Sequence, residues 1–461
     1  MNIKKQLWTW DNIFTGLLAL KGERKLYLVG GAIRDILLNR PPEDFDFAIE
    51  GSGIEFARKF AEKVKGTFIL LSKRDDEARV VHSVSGLTFD FSGLADKTIE
   101  EDLKRRDFTL NALAVELDES RVEEEKVIDP LGGFNHLTKG VIYPVGKESL
   151  KQDPLRLLRA FRLSLELDFK IDEKILDLAR GLSLTGVAPE RISGELLRIM
   201  EKPKSFKYFR LLVNLGILPQ IFPEAKTFFE SAELLNHSLF TYEKIEQLLS
   251  GKNFFSRFPA EGASYFNPVP RRKALLKLAG FFHDLGKLET RFVNGEGEAH
   301  YYGHDTLGAQ KVEQMMKERL RLSNKETLTV KALVARHMHL HLLATSPVLT
   351  DRAIRRFFRL PEDEYFGLMI LTYADGYATA GKIAHLEAAI ECMIRLKQED
   401  TAKAKMKRLV TGHDLISLGL KPGPIFKELL QEMEDLRLEG KIETREEGIA
   451  YLKGIICFFK N

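Results

Sequence analysis

The sequence predicts an α+β domain at the N-terminal end and an all-helical remainder. Three observations carry this prediction. Short apolar runs broken by glycine, proline or charge recur as far as about residue 92 with the spacing of strands. From Leu150 onward the strand signals vanish and helical periodicity takes over. The chain has 461 residues, too many for one compact core and enough for about three domains of ~100–200 residues each.

Composition narrows the class. Hydrophobic residues make up 44% and charged residues 30%, as in an ordinary soluble protein, and no run approaches the roughly 18 apolar residues of a membrane span. The first residues, MNIKKQLWTWDNIF, are mixed in charge and carry no export signal. The 2 cysteines, Cys392 and Cys457, exclude a disulfide framework and fit a reducing cytoplasm. A net charge of +3 does not point to nucleic acid, so basic clusters are the better guide: Lys104-Arg105-Arg106, Arg156/Arg159/Arg162, Arg271-Arg272-Lys273 and Lys403/Lys405/Lys407-Arg408.

Taken in order, residues 1–25 read as a helical lead-in, Leu26–Val29 as a buried strand, Gly30-Gly31 as a break, and Ala32–Leu38 as a short helix. A second strand begins near Asp44. Strand side chains alternate between faces, so Asp44 and Asp46 share one side and Phe45 and Phe47 anchor the other. Two carboxylates on one face suit Mg²⁺, which completes its coordination with water and substrate phosphate. Without side chains, Gly30 and Gly31 let backbone N–H groups come close to a triphosphate. Residues 51–65 have amphipathic helical spacing, and 67–71, 79–84 and 87–92 read as strands. In the last of these Asp90 is placed as a third carboxylate.

Gly30-Gly31-x-x-Arg34-Asp35 followed by Asp44-x-Asp46 resembles the first signature of the class II nucleotidyltransferases, the family of CCA-adding enzymes and bacterial poly(A) polymerases. Arg105-Arg106-Asp107-Phe108-Thr109-Leu110-Asn111-Ala112 is similar to the second. The resemblance implies a polymerase-β-like mixed-sheet head that binds nucleotide through Gly30, Gly31, Arg34, Arg106, Asp107 and Asn111. Arginines suit triphosphate oxygens, and Asp107 with Asn111 suits ribose hydroxyls. Ile128–Gly133 reads as a turn closing the sheet, and the family has a similar element there.

Asp153-Pro154 reads as the N-cap and first position of a helix that carries Arg156, Arg159 and Arg162. It matches the family's E-D-x-x-R, whose Asp and Arg read the incoming base. A carboxylate only accepts and a guanidinium only donates, so Asp153 and Arg156 suit a base with an exocyclic amine beside a ring-nitrogen acceptor, which is cytosine or adenine. Gln152 stands where the family usually has Glu. Glu190-Arg191-Ile192 resembles a further family element, expected to brace neighbouring helices.

The order His237, His283-Asp284, His304, His337, Asp375 resembles the metal-dependent HD phosphohydrolases, and the resemblance implies a divalent metal such as Mn²⁺ or Ni²⁺. His339 and His341 complicate that assignment. Residues 251–272 read as a surface insertion, and Thr411 through Glu447 resembles the family's C-terminal helical cap. The expected division is a head (1–145), a helical neck with the base-reading residues (146–226), an HD domain (227–400) and a helical cap (401–461). The resemblance implies transfer of C, A or both from CTP and ATP to the 3′ end of tRNA, with no membrane and no obligate protein partner. A CC- or A-adding specialist, a poly(A) polymerase and an HD phosphohydrolase acting on RNA ends are the alternatives. Only FSGLADKTIEE separates Asp90 from Asp102, where complete CCA-adding relatives usually carry a longer loop, so CC addition is favoured over A addition.

Overall fold

The computed structural model describes residues 11–94, 98–117, 127–269, 271–359, 364–381, 383–404 and 409–459. Part of the lead-in, part of the connection after Asp90, and Lys405, Lys407 and Arg408 of the last basic cluster lie outside the described residues. The chain divides into two compact units, Met1–Ile221 and Phe222–Asn461.

In the first unit a seven-stranded sheet is built from β1 (Leu26–Val29), β2 (Asp44–Ile49), β3 (Thr67–Ser72), β4 (Glu77–Val81), β5 (Thr88–Gly93), β6 (Ala114–Glu116) and β7 (Val127–Ile128), in the order β3-β4-β5-β2-β1-β6-β7. β2 and β5 run parallel, and the other neighbours run antiparallel. The β2–β5 register sets Phe45 opposite Phe89 and Phe47 opposite Phe91, with ring centroids 5.5 and 5.1 Å apart. Phe14 of α1 (Asp11–Lys21) and Phe56 and Phe60 of α3 (Gly53–Val64) complete this buried aromatic layer, while α2 (Gly31–Leu37) follows β1. Burying a Phe stabilises by about 1.5–3 kcal/mol. A one-residue slip of β2 would put its carboxylates into that layer, so the aromatics fix which face the carboxylates occupy.

The α+β head followed by helices is as the sequence predicts, with differences at short elements. β4 begins at Glu77 and ends at Val81, because residues 82–87 fold into a turn closed by His82 N–H donating to Leu87 O (2.9 Å). β6 begins two residues after the second signature ends at Ala112, and β7 includes Ile128, where a turn was expected. Strands do not vanish after residue 150: Lys170–Ile171 pairs with Val141–Ile142, and Phe292–Val293 pairs with Ala299–His300. Two-residue strands are too short to show alternation.

The segment expected to read the base enters α4 (Arg156–Leu167) two residues later than the sequence suggests. Pro154 and Leu155 form a turn, and the Asp153 carboxylate still accepts a bond from Leu155 N–H at 3.2 Å. α5 (Pro189–Glu201) packs on α4.

The second unit is helical around α6 (Ala232–Leu248), α7 (Arg272–Phe282), α8 (His304–Glu318), α9 (Asn324–Ala344) and α10 (Tyr365–Ala380). The segment expected as a surface insertion is mostly exposed or half-buried; it contains a helix, Pro259–Phe266, and its Phe255 packs against Phe366 and Tyr373. Arg272 belongs to a basic cluster that reads as a surface feature, but it is buried and donates to Glu364 at 2.6 Å. Helices Gly412–Ser417, Pro424–Leu438 and Arg445–Phe459 share a separate core of Val410, Leu415, Leu429, Met433, Ile442 and Leu452. Among the described residues no helix is long and apolar enough to cross a membrane.

Candidate active site

The polar face of the sheet opens into a cavity of about 1060 Å³ within the first unit. Its lining includes every expected head and neck residue: Gly30, Gly31, Arg34, Asp44, Asp46, Asp90, Arg106, Asp107, Asn111, Asp153, Arg156, Arg159 and Arg162. Parallel pairing sets Asp46 directly opposite Asp90 and Asp44 opposite Thr88, whose hydroxyl donates to Asp44. Burial raises the proton affinity of Asp46; Arg106 opposes this, and Asp90 and Asp44 add to it. A buried carboxylate whose proton affinity is raised by burial and by two neighbouring carboxylates is part of a donor set that a hard divalent cation would satisfy, so the residues fit Mg²⁺.

Gly30 holds φ +78°, and a methyl at its Cα would stand 2.8 Å from Arg106 Nη1 and 3.0 Å from Asp46 Oδ2. Only glycine allows this approach. Arg34 donates to Asp35 (2.9 Å) and to Asn111 Oδ1 (2.8 Å), and Asn111 Nδ2 donates to Asp107 (3.1 Å). Asp107 also accepts from Arg159 Nε (2.8 Å) and Phe108 N–H (2.8 Å). Burial pushes the Asp107 carboxyl up, but Arg159 and these bonds outweigh it and hold it below the usual range. Arg162 is spent on Glu195 (2.6 Å) and Glu166 (2.7 Å).

Arg156 donates to Ser149 Oγ (2.7 Å) and Arg105 O (2.6 Å), and Asp153 accepts from Arg191 at 2.8 Å. Sequence reasoning missed Arg79, which grips Asp90 at 2.7 Å from β4, as well as Ser149 and Glu195. Arg79 was readable only through the β4–β5 register, which places it opposite Asp90.

In the second unit His237, His283, Asp284, His304, His337 and Asp375 converge. His237 and His283 bring their Nε2 atoms to 3.2 Å, as do His304 and His337. His237 Nε2 lies 3.1 Å from Asp375 Oδ1, His283 Nε2 lies 3.2 Å from Asp284 Oδ2, and the Nε2 atoms of His304 and His337 lie 3.6 and 3.7 Å from Asp284 Oδ1. The rings of His283, His304 and His337 are turned by their own backbone: each Nδ1 sits 2.7–2.9 Å from a carbonyl oxygen of Gly280, Tyr301 or Val334. A carbonyl only accepts, so each Nδ1 carries a proton and each Nε2 is the ring nitrogen turned inward, the one a metal would take. Asp284 Oδ1 is buried without a hydrogen-bond partner, and the donor set fits a divalent transition metal. Burial pushes His283 down, but Asp284 and Asp375 outweigh it and raise it to about 10, while burial beside His283 lowers His337 to about 4. The other two histidines separate: His341 Nε2 lies 3.1 Å from Asp375 Oδ2, whereas His339 packs on Phe357.

Three family models match in sequence order: the poly A polymerase head domain over residues 26–143, a probable RNA- and SrmB-binding site of polymerase A over 165–229, and the HD domain over 234–380. A CC-adding tRNA nucleotidyltransferase of Thermus thermophilus is 30% identical over 92% of this chain and 92% of its own length. The chain belongs to the tRNA nucleotidyltransferase and poly(A) polymerase family. An A-adding relative from Deinococcus radiodurans is 29% identical over 92% of this chain and 94% of its own. The fold of this nucleotidyltransferase matches that of the Thermotoga maritima CCA-adding enzyme solved with tRNA, at a TM-score of 0.65 and 22% identity over 98% of this chain and 99% of that one.

Proposed function

We propose that this tRNA nucleotidyltransferase adds cytidylates to the tRNA 3′ end and stops after CC. Relatives of nearly equal identity include both CC-adding and A-adding proteins, so likeness does not choose between them. The observation that carries the proposal is the short connection after Asp90. β5 ends at Gly93, Leu94 N–H is tied to Ile49 O at 2.8 Å, and the next helix starts at Ile99 behind a Thr98–Glu101 capping box. Little chain is left to reach the base-reading residues, and lids that complete a site need reach.

Asp44, Asp46 and Asp90 would hold Mg²⁺, which when bound would neutralise triphosphate charge and activate the RNA 3′-hydroxyl for in-line attack on the α-phosphate, the α–β phosphoanhydride bond breaking and pyrophosphate leaving. The backbone at Gly30 and Gly31 and the Arg106 guanidinium receive the triphosphate, Asp107 and Asn111 face the ribose, and Asp153 with Arg156 reads the base edge. A tRNA lacking all three terminal nucleotides, given CTP and ATP, should gain two cytidines and stop; a full CCA end overturns the proposal.

A second activity is favoured by the HD cluster. Its inward Nε2 atoms and unpartnered Asp284 oxygen support metal-dependent hydrolysis of a phosphate ester, the chemistry a bound transition metal supplies as Lewis acid.

A further inference from the structure

Asp46 stands between two strands that lead to different places. On one side β1 sets Val29 opposite it, with Gly30 next in the chain; on the other β5 sets Asp90 opposite it, and β4 sets Arg79 opposite Asp90. The large cavity takes Gly30 and Gly31 into its lining. A second cavity of about 520 Å³ includes residues of β2, β4 and β5 and, among the described residues, takes nothing from β1. Both cavities have Asp46, Asp90 and Arg106 in their walls, so the carboxylates are open to each.

Most of the acidic groups in the second cavity are already matched. Asp90 is gripped by Arg79 at 2.7 Å, and Asp102 accepts from Arg106 at 3.2 Å. Asp75 accepts from Ser72 Oγ at 2.7 Å, and Asp76 accepts from Ser52 Oγ and Gly53 N–H, both at 2.8 Å. Arg74 and Arg105 are exposed and line the same cavity, and among the described residues neither guanidinium has an ion-pair or hydrogen-bond partner. Such groups suit phosphate oxygens. Glu77, two residues before Arg79 and so on the same face of β4, has no partner among the described residues either, and it can accept from a ribose hydroxyl.

In an in-line displacement the attacking and leaving oxygens lie on opposite sides of the phosphorus. With the triphosphate beside Gly30 on the β1 side, the attacking hydroxyl has to come from the β5 side, where the second cavity opens. We infer that this cavity receives the 3′-terminal nucleotide of the acceptor RNA, with Arg74 and Arg105 on its backbone phosphate and Glu77 on its ribose 2′-hydroxyl. The inference rests on the reading of the large cavity as the nucleotide site.

The test uses the full chain, Mg²⁺, α,β-methylene CTP to fill the nucleotide site without reacting, and a tRNA that lacks CCA and ends in a photoreactive 4-thiouridine. Irradiation should attach the terminal nucleotide within residues 71–77 or 102–106, and attachment only to other segments overturns the inference. Arg74→Gln with Arg105→Gln should weaken binding of that tRNA by about 10-fold. It should also lower the slope of log affinity against log salt by about 1, the loss of one or two single-strand phosphate contacts. Binding of α,β-methylene CTP without tRNA should keep its wild-type affinity. Unchanged tRNA affinity and slope in the double variant overturn the phosphate contact, and equal loss of tRNA and CTP-analogue binding makes the two arginines structural. A terminal 2′-deoxyribose should weaken binding to the wild type but not to Glu77→Ala; equal weakening in both removes Glu77 from the site. If the CTP analogue binds Asp153→Ala/Arg156→Ala as tightly as the wild type, the reading of the large cavity falls and the inference with it. If its binding does depend on that pair while the RNA end attaches elsewhere, only the inference falls.

Discussion

Gly30→Ala and Gly31→Ala should separate two adjacent glycines that look equivalent in the sequence. At Gly30 the backbone has φ +78° and ψ −137°, a region nearly closed to residues with a Cβ, and occupying it costs about 1–3 kcal/mol. The new methyl would also meet Arg106 Nη1 at 2.8 Å and Asp46 Oδ2 at 3.0 Å, whereas comfortable contacts begin near ~3.5 Å. Both groups must then retreat by about 0.5 Å. Since a displacement of ~1 Å can cost about 100-fold in rate, we expect a 10- to 100-fold fall, roughly, in CMP addition. A domain stable by about 5–15 kcal/mol survives the strain. At Gly31, inside the first turn of α2, a methyl meets only Arg34 Nη2 at an ordinary 3.5 Å. Gly31→Ala should leave stability unchanged or raise it by about 0.5–1 kcal/mol, so any rise in KM for CTP reports a triphosphate against that backbone. Single-turnover incorporation of labelled CTP and urea unfolding measure the two effects. Wild-type rate and stability in Gly30→Ala would refute the crowding described here, as would equal destabilisation by both variants.

Two further outcomes follow from the polar network beside the carboxylates. Arg156→Ala should lower kcat/KM for CTP by about 10- to 100-fold and narrow the preference over UTP, because the donor that penalises the wrong base edge is gone; undiminished exclusion of UTP would place base reading elsewhere. Asp107 titrates below the usual carboxylate range, so its stabilising contribution is present above roughly pH 4 and disappears as pH falls through its lowered value. The stability advantage of the wild type over Asp107→Asn should therefore be full at neutral pH and close to zero in acid, and a constant difference from neutral to acidic pH in urea unfolding would contradict the assignment.

How much was legible in the sequence depended on the range of the interaction. Alternation within β2 was enough to put Asp44 and Asp46 on one face and the phenylalanines on the other, and the parallel register then brought Asp90 to Asp46 as expected. The HD cluster was legible as an ordered set of residue types, and the inward turn of its His283, His304 and His337 rings was not, because carbonyls three residues away produce it. The partners of the arginines were hidden. Arg162 looked available to phosphate and is held by Glu195, 33 residues away. Arg272 looked like a surface cation, but Glu364, 92 residues away, holds it in the interior. Charge type can be read locally, whereas charge compensation depends on helices meeting, which no local pattern encodes. Two-residue strands escaped for a simpler reason: a period of two needs more than two residues to show itself.

The same range effect bears on Gln152. The family usually places a glutamate there, beside the proposed base-reading pair. Gln152 is exposed at the end of the short helix Ser149–Gln152, where its side chain does little to steady a carboxylate. Asp153 is instead held from two sides: Leu155 N–H donates to one carboxylate oxygen at 3.2 Å, and Arg191 donates to the other at 2.8 Å. Each oxygen keeps a second lone pair, so the carboxylate remains able to accept from the amine of an incoming base while its plane is fixed. Arg191, expected only to brace helices, thus fixes the acceptor half of the proposed base reader, and Ser149 with the Arg105 carbonyl fixes the donor half at Arg156. With both halves held without a glutamate at 152, that substitution gives no reason for addition to stop early. The stop after CC then rests on the short connection between Asp90 and Asp102 alone. Lengthening that connection with Gln152 unchanged should permit A addition, whereas Gln152→Glu in the short-connection protein should not.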